Sequence, residues 1–445
     1  IERTTNGYKI IDTDGTTYHF EAKELCFSPT LYSYSSAWYL TKIETAGRKN
    51  VITLSYTTGD TYTIRYRSQY LHRGNEVTYS QGTGQQYIAH ETNGGFGGEV
   101  SMPRYSYNVP MLSSICWNNV NITFSYTKDR LDTQKERLNS ITVKDNNSIV
   151  RYVTFNNNMY FGSRPSNYRM RLAGLSIKGN TTDGITDNYV FSYDATTPPE
   201  HYNAALTGNA SETYCREDYW GYYNGTQNYN MIPTGVFPSS GLADRAASPL
   251  YMQMCILKSI QYPTGGSTTF NYETNRTGTK SYIGGLRIME IINKDHNGII
   301  LEQKTYEYEL EEATMEILDE LFAYDDYFLY FIRQENGAYQ SRGNLHQIAV
   351  ASPILPLTGW SGSPVFYGKV TEYSGNKSFN TGKTVYKFIQ DFESSYPGAE
   401  IYDTPIPIPL RFYSGLYNND EGTVPALLKE KTFFKNDNGT YVKQL

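Results

Sequence analysis

The sequence predicts an all-β protein, mainly antiparallel, in which repeated hairpins form a twisted, curved or shell-like sheet. The first observation is a recurring phrase: an apolar strand, a turn containing Gly or Asn, and a strand that ends in alternating aromatic residues. Clear copies span residues 38–56, 257–272 and 285–308. The second observation is composition. The 43 Tyr, against 19 Phe and 4 Trp, suit a pleated surface because a tyrosine ring is apolar while its hydroxyl can stay in water.

Hairpins are predicted along the chain wherever alternating apolar residues flank a short turn. The first pairs residues 8–11 with residues 16–20 across the turn Asp12–Gly15. Because the inserted loops differ widely in length, the repeat is degenerate and has no fixed period. A single hairpin is marginally stable, so each must add to a neighbour. Further hairpins are predicted at residues 51–66, 137–155, 172–193, 365–388 and 427–442.

Composition also suggests how the chain is organised. We expect N-terminal repeated hairpins over residues 1–195, a Gly-, Asn- and Tyr-rich insertion over 196–250, and C-terminal repeated hairpins over 251–445. One continuous body is the alternative. Residues 68–110 contain Gly-rich loops, and residues 396–425 contain several prolines, whose missing N–H groups exclude them from central strands.

One short amphipathic helix is predicted at residues 311–322. Its apolar side chains recur at helical spacing, and acidic side chains occupy the other faces. We expect this helix to lie on the sheet. The apolar positions are Met315, Leu318, Leu321 and Phe322.

Charge and motif patterns argue against several function classes. The 45 acidic and 39 basic residues give a net charge of −6, with no basic run, so no nucleic-acid partner is expected. The histidines and cysteines lack zinc-ligand spacing, and no serine lies in a G-x-S-x-G turn. The sequence therefore predicts no enzyme, no metal and no cofactor. Paired carboxylates, as in glycosidases, are the open alternative because 45 acidic residues offer many pairs.

Cysteine use and hydropathy bear on location. Cys26, Cys116, Cys215 and Cys255 are interpreted as buried thiols, with one or two long-range disulfides as the alternative. No apolar run of about 18 residues is present, so no transmembrane segment is predicted. The first residues resemble neither a signal peptide nor a translation start. We interpret the chain as a trimmed product that is exported to the cell surface or outside the cell, with any lipid anchor lying upstream.

The segment from residue 218 to residue 225 is the best candidate for recognition. It places aromatic rings beside planar polar groups, which is what a sugar ring needs for stacking and for its hydroxyls. The alternative, which the general abundance of Tyr favours, is that these aromatics pack a loop onto the sheet. The candidate ligand-binding residues are Asp218, Trp220, Tyr222, Tyr223 and Asn224.

Several blocks resemble the Rhs or YD-repeat family. Residues 137–141 precede an Asp-Asn turn, and residues 260–272 contain a Tyr-Pro-Thr-Gly-Gly turn between strands. With residues 36–43, 218–225, 284–288 and 382–388 they look like the Rhs-like surface proteins common in Bacteroidetes. The resemblance implies a β-ribbon wound into a curved shell, which in some relatives encloses a toxic C-terminal domain. The chain shows no self-cleaving core segment and few Tyr-Asp pairs, so toxin delivery is not carried over.

Together these observations predict a non-enzymatic, exported or cell-surface scaffold or adhesion protein of the Rhs/YD-repeat type. Its expected partner is an unknown protein or glycan at the cell surface. The first alternative is a carbohydrate-binding surface module that uses the aromatics around Trp220. The second is part of a toxin-encapsulating shell, which predicts further repeats beyond Leu445.

Overall fold

A computed structural model shows a protein built from antiparallel strands, as the sequence predicts. It describes residues 1–27, 33–48, 50–65, 68–79, 88–90, 99–101, 104–165, 167–179, 186–198, 215–218, 221–228, 243–276, 282–309, 313–314, 323–335, 338–351, 366–389 and 427–444. Helical structure in these residues consists of the 3-10 turns Ala46–Arg48 and Tyr251–Gln253. No helix of the described residues is long and apolar enough to span a membrane.

The strands of the first half of the chain are β1 Glu2–Arg3, β2 Tyr8–Ile11, β3 Thr17–Phe27, β4 Tyr34–Glu44, β5 Val51–Arg65, β6 Ser68–Tyr79, β7 Ile88–His90, β8 Glu99–Ser101, β9 Arg104–Trp117, β10 Val120–Lys128, β11 Glu136–Asp145, β12 Ser148–Asn156, β13 Met159–Phe161, β14 Arg169–Arg171, β15 Gly174–Lys178, β16 Asp187–Tyr193, β17 Cys215–Glu217 and β18 Tyr223–Asn228. Those of the second half are β19 Leu257–Gln261, β20 Ser267–Arg276, β21 Tyr282–Lys294, β22 Ile300–Tyr308, β23 Ala313–Thr314, β24 Ala323–Glu335, β25 Ala338–Ala351, β26 Phe366–Tyr367, β27 Lys369–Gly375, β28 Asn380–Ile389, β29 Leu427–Asp437 and β30 Thr440–Lys443.

The chain forms two compact units. Residues 1–269, 293–299 and 319–354 make up the first, and residues 270–292, 300–318 and 355–445 the second. In the first unit, paired strands follow the order β1-β2-β3-β4-β5-β9-β10-β11-β12-β15-β16-β19. A separate sheet joins β24, β25 and β6. In the second unit, β22, β27, β28, β29 and β30 pair in that order. The boundaries of the insertion that the sequence predicts at residues 195 and 250 remain predictions.

A hydrogen bond from a tyrosine hydroxyl recurs in the first unit, and we call it the tyrosine anchor. One of its copies uses Tyr56, which ends the recurring phrase at residues 38–56. In each of β5, β10 and β16, a Tyr lies three residues beyond the end of the ladder with the preceding strand. Its hydroxyl donates a hydrogen bond to the carbonyl of a leucine on the preceding strand. That leucine lies two residues beyond the last residue of its own strand that takes part in the ladder. The bonds are Tyr56 to Leu40 at 2.7 Å, Tyr126 to Leu112 at 2.9 Å and Tyr193 to Leu172 at 2.6 Å.

A register shift accompanies each anchor. The pairing with the next strand shifts immediately before Tyr56, Tyr126 and Tyr193. Such a β-bulge bends the strand and redirects the side chain that follows it. Burial raises the pKa of all three hydroxyls. The tyrosines therefore lock successive strands together where their backbone ladders have ended.

A fourth copy of the contact uses Asn in place of Tyr. The β11–β12 ladder ends at the pair Ser140 and Thr154, and Asn157 Nδ2 donates to the Leu138 carbonyl at 2.8 Å. Asn157 is 7% exposed, and its Oδ1 accepts a hydrogen bond from Arg137 Nη1 at 2.8 Å. The Arg-Leu pair that carries the family resemblance thus supplies both partners of Asn157.

An arginine organises the second unit. The Arg287 guanidinium lies 4.4 Å from the centroid of the Tyr308 ring and 4.9 Å from that of Tyr367, and its Nε donates to Glu273 at 2.9 Å. The Tyr308 hydroxyl donates to the Ile288 carbonyl at 2.7 Å. The Gly-Gly-Leu-Arg-Ile block of the sequence is therefore part of a packed cation–π core.

The predicted helix at residues 311–322 is wrong for the two of its residues that are described. Ala313 and Thr314 form β23, which pairs with Tyr367 and Phe366 of β26. Pairing with a distant strand can override a short helical pattern, because propensity is a weak prior beside tertiary contacts. The rest of the predicted helix lies outside the described residues.

Candidate functional site

The predicted recognition segment forms a small two-stranded sheet, with Asp218 directly after β17 and Tyr223 at the start of β18. Trp220 lies outside the described residues. Asp218 is 0% exposed and Asn224 is 4% exposed. The structure therefore brings Asp218, Tyr222, Tyr223 and Asn224 together, with the two polar residues inside the fold.

Asp218 closes the loop between β17 and β18. Its Oδ1 accepts the Tyr222 N–H at 2.9 Å, and its own N–H donates to the Tyr222 carbonyl at 2.8 Å. The Asp218 carbonyl accepts a hydrogen bond from Arg245 Nη2 at 2.9 Å. Arg245 is 2% exposed. The carboxylate and the guanidinium therefore hold the loop in place from within.

Asn224 fastens the same loop to a distant segment. Its Nδ2 donates to the carbonyls of Asp244 at 3.0 Å and Ala246 at 3.3 Å. Its Oδ1 accepts hydrogen bonds from Thr226 N at 3.2 Å and Oγ1 at 2.7 Å. Asn228 bonds both the carbonyl and the N–H of Asp244. Both polar atoms of the Asn224 amide are therefore hydrogen-bonded within the chain, as a buried amide requires.

The aromatic residues of the segment are arranged around a glycine. Burial and the nearby Asp218 carboxylate raise the pKa of Tyr222. The Tyr223 and Tyr251 rings meet edge to face at 5.3 Å. Gly225 has a φ of +79°, and a Cβ there would lie 2.1 Å from the Tyr251 ring. Tyr251 is 36% exposed. The sequence analysis missed Tyr251, because it lies beyond the insertion and its contact with Gly225 arises from tertiary structure.

The cysteines that the structure describes are free thiols. Cys26 is 0% exposed, and Cys116 and Cys255 are partly buried. Burial raises the pKa of Cys255 to about 11, so this thiol is protonated near neutral pH and is a poor nucleophile. The side chain of Cys215 lies outside the described residues. Within the described ranges, no three His, Cys, Asp or Glu side chains are grouped as metal ligands.

Comparison with known proteins gives similarity to solved structures alone. No protein-family model matches the chain, and no curated protein matches it. A chain in the crystal structure of TcdB2-TccC3-TEV is similar over 96% of this chain and 26% of that chain, at 10% identity and a TM-score of 0.23. A porin-like protein from Bacteroides uniformis ATCC 8492 is similar over 77% of this chain and 94% of that chain, at 12% identity and a TM-score of 0.16. This chain therefore spans about a quarter of the length of the first of these proteins.

Proposed function

We propose that the protein is a non-enzymatic scaffold or adhesion protein of the Rhs/YD-repeat type that is exported and works at the cell surface. The observation that supports this most strongly is the tyrosine anchor, which recurs with the same spacing at Tyr56, Tyr126 and Tyr193. A contact that repeats along one sheet adds strands without building a catalytic centre. The tyrosines that form this contact therefore stabilise the joining of successive strands into an extended sheet.

The candidate recognition segment also supports a structural use of its polar residues. The Asp218 carboxylate and the Asn224 amide bond to the backbone of the chain itself. Both groups are buried, so neither reaches solvent unless the loop opens. A catalytic or ligand-binding carboxylate normally faces the ligand.

The location is tested by labelling intact source cells. An epitope tag inserted between Thr13 and Asp14, in the exposed turn between β2 and β3, falls where an insertion is tolerated. A surface protein binds the tag antibody on intact cells. Binding that appears only after permeabilisation contradicts the proposal, and a tagged cytoplasmic protein provides the control for leakage.

A glycan-binding surface module is the second candidate. It is favoured by the Tyr223 and Tyr251 ring pair, in which Tyr251 faces solvent beside a loop held rigidly by Asp218 and Asn224. Aromatic faces on a pre-formed support suit stacking against a sugar ring. Glycan-array binding that is lost in Tyr251→Ala and Trp220→Ala, with unchanged circular dichroism, supports it. Retention of binding in both variants excludes this site.

A further inference from the structure

One face of the last strands of the second unit carries a basic and apolar surface, which we call the β29 patch. In register, Lys431 lies opposite Tyr386 and Lys435 lies opposite Val442. A register shift between Lys387 and Phe388 sets Leu428 opposite Phe388, which returns Leu428 to this face. The β29 patch comprises Leu428, Lys431, Phe433, Lys435 and Val442.

The apolar side chains of the patch face solvent. Leu428 is 53% exposed, Phe433 is 49% exposed and Val442 is 48% exposed. Single exposed apolar residues are ordinary on a protein surface, but a group of them around charges often marks an interaction site. The patch also lies on one face of a sheet, so its side chains project from neighbouring strands in the same direction.

The lysines of the patch lack carboxylate partners in the described part of the chain. Lys431 Nζ lies 5.2 Å from the centroid of the Tyr386 ring and 5.0 Å from that of Phe433. The nearby Glu430 is on the opposite face and pairs with Lys387 at 3.1 Å. The described residues include no ion pair for Lys431 or Lys435. The patch therefore presents two cations among apolar side chains, and Asp437, which the register places on the same face two residues after Lys435, lies at its end.

The outer side of the patch is open among the described residues. β30 pairs with β29 only from Phe434 to Asp437, while β29 begins at Leu427. Gln444 N, directly after β30, donates to the Phe433 carbonyl at 2.8 Å. In the described part of the chain, no strand pairs with the outer edge of β29 at residues 427–432. Such a surface suits an extended planar partner better than a small ligand, which binds in a concave site.

We propose that the β29 patch docks on an anionic lipid surface. Lys431 and Lys435 meet the headgroups, and Leu428, Phe433 and Val442 enter the boundary between headgroups and acyl chains. Lipids provide the two features that the patch needs together, negative charge and adjoining apolar volume. A soluble polyanion satisfies only the lysines. The proposal concerns a different surface from the Tyr223 and Tyr251 pair.

The test uses the full chain and vesicles of phosphatidylcholine with or without phosphatidylserine. We expect sedimentation with the phosphatidylserine vesicles only, and weaker binding as salt rises. Lys431→Glu is expected to lower the partition coefficient by about tenfold or more, because it replaces an attraction with a repulsion. Phe433→Ser is expected to lower it several-fold without a change in charge.

The matched control is Lys23→Glu in the first unit. Lys23 is also an exposed lysine over an aromatic ring, 4.8 Å from the Trp38 centroid, so the net charge changes equally. Equal loss in Lys23→Glu and Lys431→Glu overturns the proposal. The proposal is also overturned if the wild-type chain binds both dextran sulfate and the vesicles and Phe433→Ser changes neither affinity, because that result indicates a site for any polyanion. Absence of vesicle binding by a folded wild-type chain also overturns it.

Discussion

The tyrosine anchors predict the effect of removing a single oxygen atom. Tyr126→Phe keeps the partly buried ring and deletes the hydroxyl that donates to the Leu112 carbonyl at 2.9 Å. A net hydrogen bond contributes about 1 kcal/mol to stability, and leaving a partly buried carbonyl unpaired brings the cost to about 1–2 kcal/mol. Tyr56 lies opposite Leu112, which accepts from Tyr126, so these two sites share a neighbour and only the effect of the more distant Tyr193 should add independently. The triple Phe variant should lose about 3 kcal/mol, at about 1 kcal/mol for each hydroxyl.

The assay is the free energy of unfolding from urea denaturation of the purified chain. The matched control is Tyr8→Phe, because Tyr8 is 36% exposed and packs edge to face on Trp38, while its hydroxyl has no partner among the described residues. We expect a change below about 0.5 kcal/mol there. A triple Phe variant as stable as Tyr8→Phe would refute the anchor as a stabilising contact.

Three further predictions concern single positions. Asn157→Ala should cost about 1–3 kcal/mol in the same urea assay, since it leaves the Leu138 carbonyl unpaired; a neutral change contradicts the substituted anchor. Burial, with a hydrogen bond to Glu24, raises the pKa of Tyr39 from its usual 10.0 to about 12, so the stability that Tyr39 contributes is complete below pH 10.0 and is lost as pH rises through 12. Tyr39→Phe should reduce the loss of stability over this range, and an unchanged pH profile counts against this reasoning. Gly225→Ala, which places a Cβ against the Tyr251 ring, should lower the unfolding midpoint more than Gly439→Ala, where φ is also positive but nothing lies within 4 Å; equal effects would show that the ring can move away.

Most local parts of the fold were predictable from sequence, but the hairpin predicted at residues 51–66 is wrong. Val51–Arg65 forms the single strand β5, and the expected turn is a register shift between Thr58 and Thr61 in the pairing of β5 with β9. The hairpin of residues 8–20 appears as β2 and β3, and that of residues 137–155 as β11 and β12 with a turn at Asn146 and Asn147. Alternation and turn chemistry act within a few residues, so a single chain displays them. The helix at residues 311–322 failed at Ala313 and Thr314, because their strand partners are about fifty residues away in β26.

The anchors and the candidate site could be predicted only in part. The Tyr residues were visible as a repeated pattern, but the bond from Tyr126 to Leu112 depends on a bulge in the ladder between β10 and β11, which no local signal reveals. The segment at residues 218–225 was visible as a loop. Its bonds to Asp244 and its contact with Tyr251 arise from tertiary structure, so burial of Asn224 could not be predicted from the sequence.

The antiparallel pairing of strands that are distant in the sequence defines the sheet, and a disulfide tests this pairing directly. Cys116 in β9 lies opposite Thr53 in β5, and directly opposed residues are close enough for a disulfide. Oxidation of Thr53→Cys should link this position to Cys116, which peptide mass mapping detects, whereas Ser55→Cys, opposite Ser114, should not form that link. Failure of Thr53→Cys to link, or equal linking in both variants, would contradict the register and with it the repeated sheet.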